Sequence, residues 1–396
     1  MREAFIRHRR AIHQHAEIRF DLPWTRAYVM EALTQMGYSP AEVGGGIVAL
    51  AGKPGGKIFL LRADMDALPI REENDLPFRS ETEHMHACGH DLHTAMLLGA
   101  GALLKECEQS LKGRVKLMFQ PAEEAMGGAL RMIEEGVLKN PSVDAALMIH
   151  VMPGMPIPAG TAVFPGSNPS YAACDWFDIS IQGKGGHGAM PDETVDPLNV
   201  AAHTHIALQA IVAREISPRT PIVITVGEMH GGTVSNVIPD SATLRGTIRT
   251  YDEKVREFAK ERLRQVAQGV AATFRAEATV TYSSLMGCPA VAVDSALDAR
   301  LMGYARDIIG PERVTDSTAF ARLCAERGIA AAGMGSEDFA YIAKAVPSAC
   351  IALAAGTAED GYIYPIHHPK VLFDEDALVY GAALYAGCAV RWLEGE

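Results

Sequence analysis

The 396-residue chain contains no C-x-x-C pair, and its seven cysteines, at 88, 107, 174, 288, 324, 350 and 388, follow no regular interval. An odd, scattered set argues against a disulfide framework and fits a reducing compartment, so a cytoplasmic location is expected. Cys107, Cys324 and Cys388 lie in apolar helical surroundings and read as packing. No window reaches 18 uncharged apolar residues, so no membrane span is expected. The N-terminal MREAFIRHRRAIHQH lacks the apolar core of a signal peptide. Basic clusters are nearly missing too: HRR at 8–10 comes nearest, in a chain of formal net charge −12. That balance speaks against a nucleic-acid partner. Internal repeats and low-complexity linkers are also lacking.

What is present is an ordinary globular composition, 48% hydrophobic and 21% charged, in a chain long enough for two domains. Helical patterns over 2–16 and 23–37, the second opened by Pro23, lead into short β-like runs at 47–52 and 57–66. A helix is expected at about 94–109, a strand at 115–124, a helix near 126–135 and a strand at 145–151. Strands of continuous apolar residues alternating with helices predict an α/β fold, a mostly parallel sheet flanked by helices. From residue 173 the order becomes β-α-β-β-α-β, the ferredoxin-like pattern. The expectation is therefore a catalytic domain of residues 1–172 and 287–396, interrupted by an inserted α+β domain at 173–286. The returning part carries helices near 294–309 and 317–327, a strand at 349–355 and a last helix near 375–394.

The stretch MHACGHDLHTAMLLGA, residues 85–100, places three histidines, a cysteine and an aspartate at the mouth of a helical pattern. A structural zinc finger needs a second close ligand pair, which is missing. A cysteine nucleophile at a helix start is chemically reasonable, since the N-terminal dipole lowers a thiol pKa. It leaves unexplained the residues at neighbouring strand ends: Asp64 and Asp66 after IFLLR, Gln120, Glu123 and Glu124 after VKLMF, and His150 after ALMI. Ligands of open α/β sheets bind beyond the carboxyl ends of strands, and a metal site shared between these segments accounts for all of them. His84, His86 and His93 read as surface or supporting residues. Ser336, Glu337 and Asp338 read as a turn.

Eight motifs in order, collinear from near Ile6 to the C-terminus, resemble the aminoacylase and carboxypeptidase metallopeptidases: RADMDALP (62–69), MHACGHDLHTA (85–95), FQPAEE (119–124), GKGGHGAMP (183–191), SNVIPD (235–240), GTIR (246–249), MGSEDFAY (334–341) and HHPK (367–370). The branch is that of hippurate hydrolase, plant auxin-conjugate amidohydrolases and N-acetyldiaminopimelate deacetylase. The resemblance implies a two-metal hydrolase with an inserted lid that usually dimerises, hence a homodimer or higher homo-oligomer. It implies Cys88, His90, Glu124, His150 and His367 as metal ligands, with Cys88 bridging, and Glu123 as the general acid/base acting on a metal-bound hydroxide. It implies His187 as oxyanion donor, within or across subunits. Asn236 and Arg249, on consecutive lid strands, and the Gly335 backbone amide would hold the substrate carboxylate. The donor set suits two divalent ions, Zn²⁺ or Mn²⁺ foremost, with Co²⁺ and Ni²⁺ as alternatives.

Two departures from the family pattern, Asp192 where a second histidine is common and Leu92 where glycine is common, leave these residues intact but bear on substrate choice. The expected reaction is hydrolysis of N-acyl or N-aroyl amino acids to a carboxylic acid and a free amino acid. A dipeptidase or carboxypeptidase is the alternative. A binding protein with a dead site would predict a lost ligand, and none is lost. A thiol hydrolase would survive chelation.

Overall fold

The computed structural model describes residues 1–166, 170–329 and 333–395; the side chains of 284–286 are outside that description. The chain packs as two compact units. The first comprises Met1–Ser170, Val291–Gly333 and Asp338–Glu396; the second comprises Tyr171–Ala290 and Met334–Glu337.

The first unit is built on eight strands: Ala41–Val43 (β1), Gly46–Ala51 (β2), Ile58–Asp64 (β3), Arg114–Gln120 (β4), Ala145–Met152 (β5), Ala162–Phe164 (β6), Val314–Asp316 (β13) and Ser348–Ala354 (β14). Their order is β1-β2-β4-β3-β5-β14-β6-β13. The central four, β4, β3, β5 and β14, run parallel, whereas β2 and β6 join their neighbours antiparallel. The expected mostly parallel sheet is therefore present, with antiparallel margins. Every residue of β3 is buried, as expected of a strand covered on both faces. Among the helices are Arg2–Gln14 (α1), Pro23–Gln35 (α2), His90–Glu106 (α3), Gly128–Glu134 (α4), Ser295–Ile309 (α7), Ser317–Glu326 (α8), Ala340–Ala345 (α9) and Ala377–Glu394 (α10). Helix α3 packs against α1, α10 and β3 and buries Leu92, Met96, Leu97, Leu98 and Leu104. Each such side chain contributes about 1.5–3 kcal/mol by leaving water.

Two sequence expectations need correcting. Helix α3 begins at His90, four residues earlier than the apolar pattern indicates. Gly89 caps it in the left-handed conformation, φ 87°, and lets the chain turn straight into the helix. Strand β4 stops at Gln120, and Pro121 to Gly127 form a tight turn instead of extended chain. The short strands β1, β6 and β13 were not legible, since three residues carry no periodicity.

The second unit contains Ala173–Gln182 (β7), Gly186–His187 (β8), Ile222–Gly231 (β9), Val237–Ile238 (β10), Ser241–Thr250 (β11) and Glu277–Cys288 (β12). Its helices are Pro197–Ala210 (α5) and Glu253–Thr273 (α6). Strands β12-β7-β11-β9 form an antiparallel sheet, and β8 pairs with β10 as a separate ribbon. The alternation in β7 is physical: Phe177, Ile179 and Ile181 are buried, while Trp176, Ser180 and Gln182 are exposed. Helix α6, N-capped by Asp252, lays Ala259, Leu263, Ala267 and Ala271 into the same core, one residue per turn along a single stripe.

Candidate metal centre

Three parallel strands end on one edge of the first unit's sheet. There β3 delivers Asp64, β4 runs into the Glu123–Glu124 turn, and β5 carries His150. His90 starts α3 beside them. The Cys88 Sγ lies 3.5 Å from the His150 Nε2. Ligand atoms of Cys88, His90 and His150 all lie within 4.8 Å of one another, and so do those of Cys88, Glu124 and His367. Cys88 is common to both groups. Glu124 Oε1 lies 3.9 Å from His90 Nε2 and 3.5 Å from His367 Nε2. Thus the five residues expected as ligands converge in space.

Hydrogen bonds orient the rings. His90 Nδ1 bonds the Asp66 carbonyl at 2.8 Å and His150 Nδ1 bonds the Val151 carbonyl at 2.8 Å. A carbonyl only accepts, so in both rings Nδ1 carries the proton and Nε2 is turned to the cluster. His93 is used differently. Its Nε2 accepts the Val151 N–H at 2.9 Å and its Nδ1 bonds Asp64 Oδ1 at 2.6 Å. Both its nitrogens are occupied, so it supports the site and does not ligate. His86 is buried as well, not at the surface, whereas His84 is half-buried.

Asp66 has a role the sequence left undecided. Its two oxygens accept the backbone N–H groups of Glu123, at 2.9 Å, and Glu124, at 3.2 Å. One buried carboxylate thereby sets the turn that presents both acids. Glu123 is buried and its Oε2 lies 3.9 Å from His90 Nε2. Asp338, expected in a turn, is fully buried against Arg62, Gln120 and the Ala129 N–H. Its signal was Arg62 itself, a charge inside the apolar strand IFLLRAD, which demands buried acidic partners.

The electrostatics suit a cation. Burial disfavours charge on His90, but Asp64, the bond to Asp66 and Glu124 outweigh it and lift the pKa to about 10. Burial raises the Glu124 carboxyl, against the pull of His90. Most telling are two buried atoms with no hydrogen-bond partner among the described residues, His90 Nε2 and Glu124 Oε1. Leaving such atoms unpaired costs about 1–3 kcal/mol each. A cation satisfies both, and thiolate, imidazole and carboxylate donors together fit divalent transition metals.

The remaining expected residues lie in the second unit. His187, exposed on β8, pairs with Val237 of β10, and its Nδ1 accepts the Ala189 N–H at 3.0 Å. Asn236 is not on a strand as expected. It sits in the turn before β10, where its carbonyl accepts the Gly188 N–H at 2.9 Å, so it shares the ribbon with His187. Arg249 lies on β11 and its Nη1 donates to the Met334 carbonyl, at 2.9 Å, and to Ser336 Oγ, at 3.2 Å. The Gly335 carbonyl accepts the Ala172 N–H at 2.8 Å.

Comparison with known proteins agrees with this chemistry. The profile described as peptidase family M20/M25/M40 matches residues 60–391. The chain is 37% identical to an N-acetyl-L-cysteine deacetylase of Bacillus subtilis, over 98% of this chain and 88% of that protein. It is 36% identical to thermostable carboxypeptidase 1 of Saccharolobus solfataricus, over 98% and 95%. The solved structure of Bacillus subtilis YXEP, described as a dinuclear metal binding peptidase, superposes with a TM-score of 0.80 at 31% identity, over 99% of this chain and 98% of that one.

Proposed function

From the premise that this chain belongs to peptidase family M20/M25/M40, we propose that it is a metal-dependent amidohydrolase cleaving N-acyl or N-aroyl amino acids to a carboxylic acid and a free amino acid. Cys88, His90, Glu124, His150 and His367 would hold two divalent ions. Zn²⁺ and Mn²⁺ are the foremost candidates, ahead of Co²⁺ and Ni²⁺. When bound, such ions supply Lewis acidity and lower the pKa of water. Glu123 takes the proton of the attacking water and returns it to the leaving nitrogen, while Asp66 holds it in place through the turn. His187 donates to the developing oxyanion. Arg249, Asn236 and the Gly335 amide receive the substrate carboxylate; the Arg249 fork suits it because it offers parallel donors.

The observation that carries this reading is the pair of unsatisfied atoms, His90 Nε2 and Glu124 Oε1, facing each other beside Cys88. The test is hydrolysis of acetyl-, benzoyl- and indole-acetyl-amino acids before and after dialysis against a chelator. Activity should vanish and return with added Zn²⁺, Mn²⁺, Co²⁺ or Ni²⁺. Activity that survives proven metal removal would refute it and favour a thiol mechanism at Cys88. The similarity to a thermostable carboxypeptidase favours a second reading, cleavage of small peptides. Dipeptides with free and blocked amino groups, run in the same assay, separate the two.

The same reading assigns residues 173–286 to a lid through which the chain forms a homodimer or larger homo-oligomer. In its support, β9 is a sheet edge with Val223 and Met229 exposed, and Leu198 and Ile206 of α5 are exposed as well. An open strand edge with apolar side chains invites pairing. A cytoplasmic location, supported by seven cysteines that form no disulfide among the described residues, completes the proposal; among those residues no helix is long and apolar enough to cross a membrane.

A further inference from the structure

The segment bearing Glu123 and Glu124 is a strained turn. Ala122 and Met126 take φ of 53° and 55°, left-handed values that are strained for a non-glycine residue. The turn closes on itself through Met126 N–H to the Glu123 carbonyl, 2.7 Å, and Gly127 and Gly128 N–H to the Ala122 carbonyl, 3.3 and 3.2 Å. Strain of this kind persists only where the surroundings over-determine the conformation. Asp66 grips the middle. The two ends meet on a different carboxylate, that of Asp338.

Asp338 is fully buried. Its Oδ1 accepts Gln120 Nε2 at 2.7 Å and Arg62 Nη2 at 2.9 Å; its Oδ2 accepts the Ala129 N–H at 2.9 Å. Gln120 is the last residue of β4 and Ala129 lies in the first turn of α4, so one side chain spans the whole segment. Arg62 locks the arrangement. It donates from Nε to Gln120 Oε1 at 2.9 Å and from Nη1 to Asp64 Oδ2 at 2.7 Å. Asp64 in turn bonds His93, which accepts the Val151 N–H next to His150. A Glu123 carboxylate oxygen lies within 4.8 Å of one of Asp338's.

We propose that Asp338 is a positioning residue: it clasps both ends of the Glu123–Glu124 turn and, through Arg62 and Asp64, ties that turn to the elements carrying His90 and His150. This rests on the reading of Glu123 as acid/base and Glu124 as ligand. The clasp requires acceptors only. Asparagine would turn an N–H₂ toward at least one of three N–H donors, leaving that end unheld.

The test compares wild type, Asp338→Asn and Gln120→Met. The second variant removes both Gln120 bonds, to Asp338 and from Arg62 Nε, at similar volume and leaves the Arg62–Asp338 pair. For each, kcat and KM are measured on an N-acyl amino acid. Zn²⁺ affinity is measured by competition with a chromophoric chelator, the absorption spectrum with Co²⁺ loaded, and Tm without metal. Loss of an outer support typically weakens metal affinity or activity about 10–100-fold. The expected result is a kcat loss of that order with KM nearly unchanged, Zn²⁺ affinity weakened similarly, and an altered Co²⁺ spectrum. A lowered Tm with unchanged kcat, affinity and spectrum would reduce Asp338 to a purely structural role and overturn the proposal. If Asp338→Asn does not fold, Gln120→Met decides by the same readouts. If wild type binds Zn²⁺ yet hydrolyses no N-acyl amino acid, the functional reading fails, while the affinity and spectral arms still decide the clasp.

Discussion

Glu123 and Glu124 are adjacent in sequence, yet the turn gives their carboxylates different surroundings. Glu124 Oε1 sits among His90, His367 and Cys88 with no hydrogen bond among the described residues. Glu123 stands beside that group with its backbone held by Asp66. Glu123→Gln should keep both ions, as counted by elemental analysis, while kcat falls about 10²–10⁴-fold; unchanged turnover would remove it from proton transfer. Cys88→Ala should leave one ion per chain or none, since the thiol is the atom common to both groups. At this scale the ligand-type residues were legible because metals demand a short list of side chains. Asp338 was not, because its partners Arg62, Gln120 and Ala129 lie far away along the chain.

The elements explain how those side chains are aimed. Gly89 has φ 87°, and a Cβ there would stand 2.5 Å from Val151 Cγ2 and 3.1 Å from the Phe373 ring. Gly89→Ala should lower Tm and weaken Zn²⁺ binding together, because the start of α3 and His90 move as one; a Tm loss with intact affinity would separate them. Helix α7 makes a different prediction. Asp298 is buried, with Oδ2 accepting the Gly166 N–H at 3.1 Å and Oδ1 without a partner among the described residues. Burial pushes its pKa from 3.8 to about 6. Between those values the folded chain keeps a proton that the unfolded chain has released, so stability falls as pH rises through this window and is level above it. Asp298→Asn should flatten that slope and stabilise the protein at pH 7.5 by up to about 3 kcal/mol. Urea unfolding at pH 4 and 7.5 measures both. Helices and long strands were readable from periodicity; the left-handed start of α3 and the kink after Gln120 were not, since a single residue's φ leaves no periodic trace.

At the scale of the whole molecule, the expected active residues are distributed over two units, with the candidate ligands in the first and His187, Asn236 and Arg249 in the second. Mixing His187→Ala chains with Glu123→Gln chains tests where the histidine acts. Recovered activity in verified mixed oligomers means that it works across subunits; no recovery confines it to its own chain. Ultracentrifugation of wild type should show a dimer or larger species. Replacing exposed Val223 and Met229 on β9 with lysine should shift it toward monomer if that edge is the interface.

The linear order by itself determined the kind of chemistry. Cys88, His90, the paired acids and His150 stand at strand ends and a helix mouth, where such side chains have few other uses; His367 is implied by the family resemblance alone, and apolar periodicity determined the α/β plan that gathers them. Only the tertiary structure decided which histidines turn a nitrogen to the cluster and which is spent on Asp64, and which carboxylates restrain the turn. Those outcomes depend on hydrogen bonds between residues scores of positions apart, and a hydrogen bond is settled by distance and direction in space, which composition and spacing do not encode.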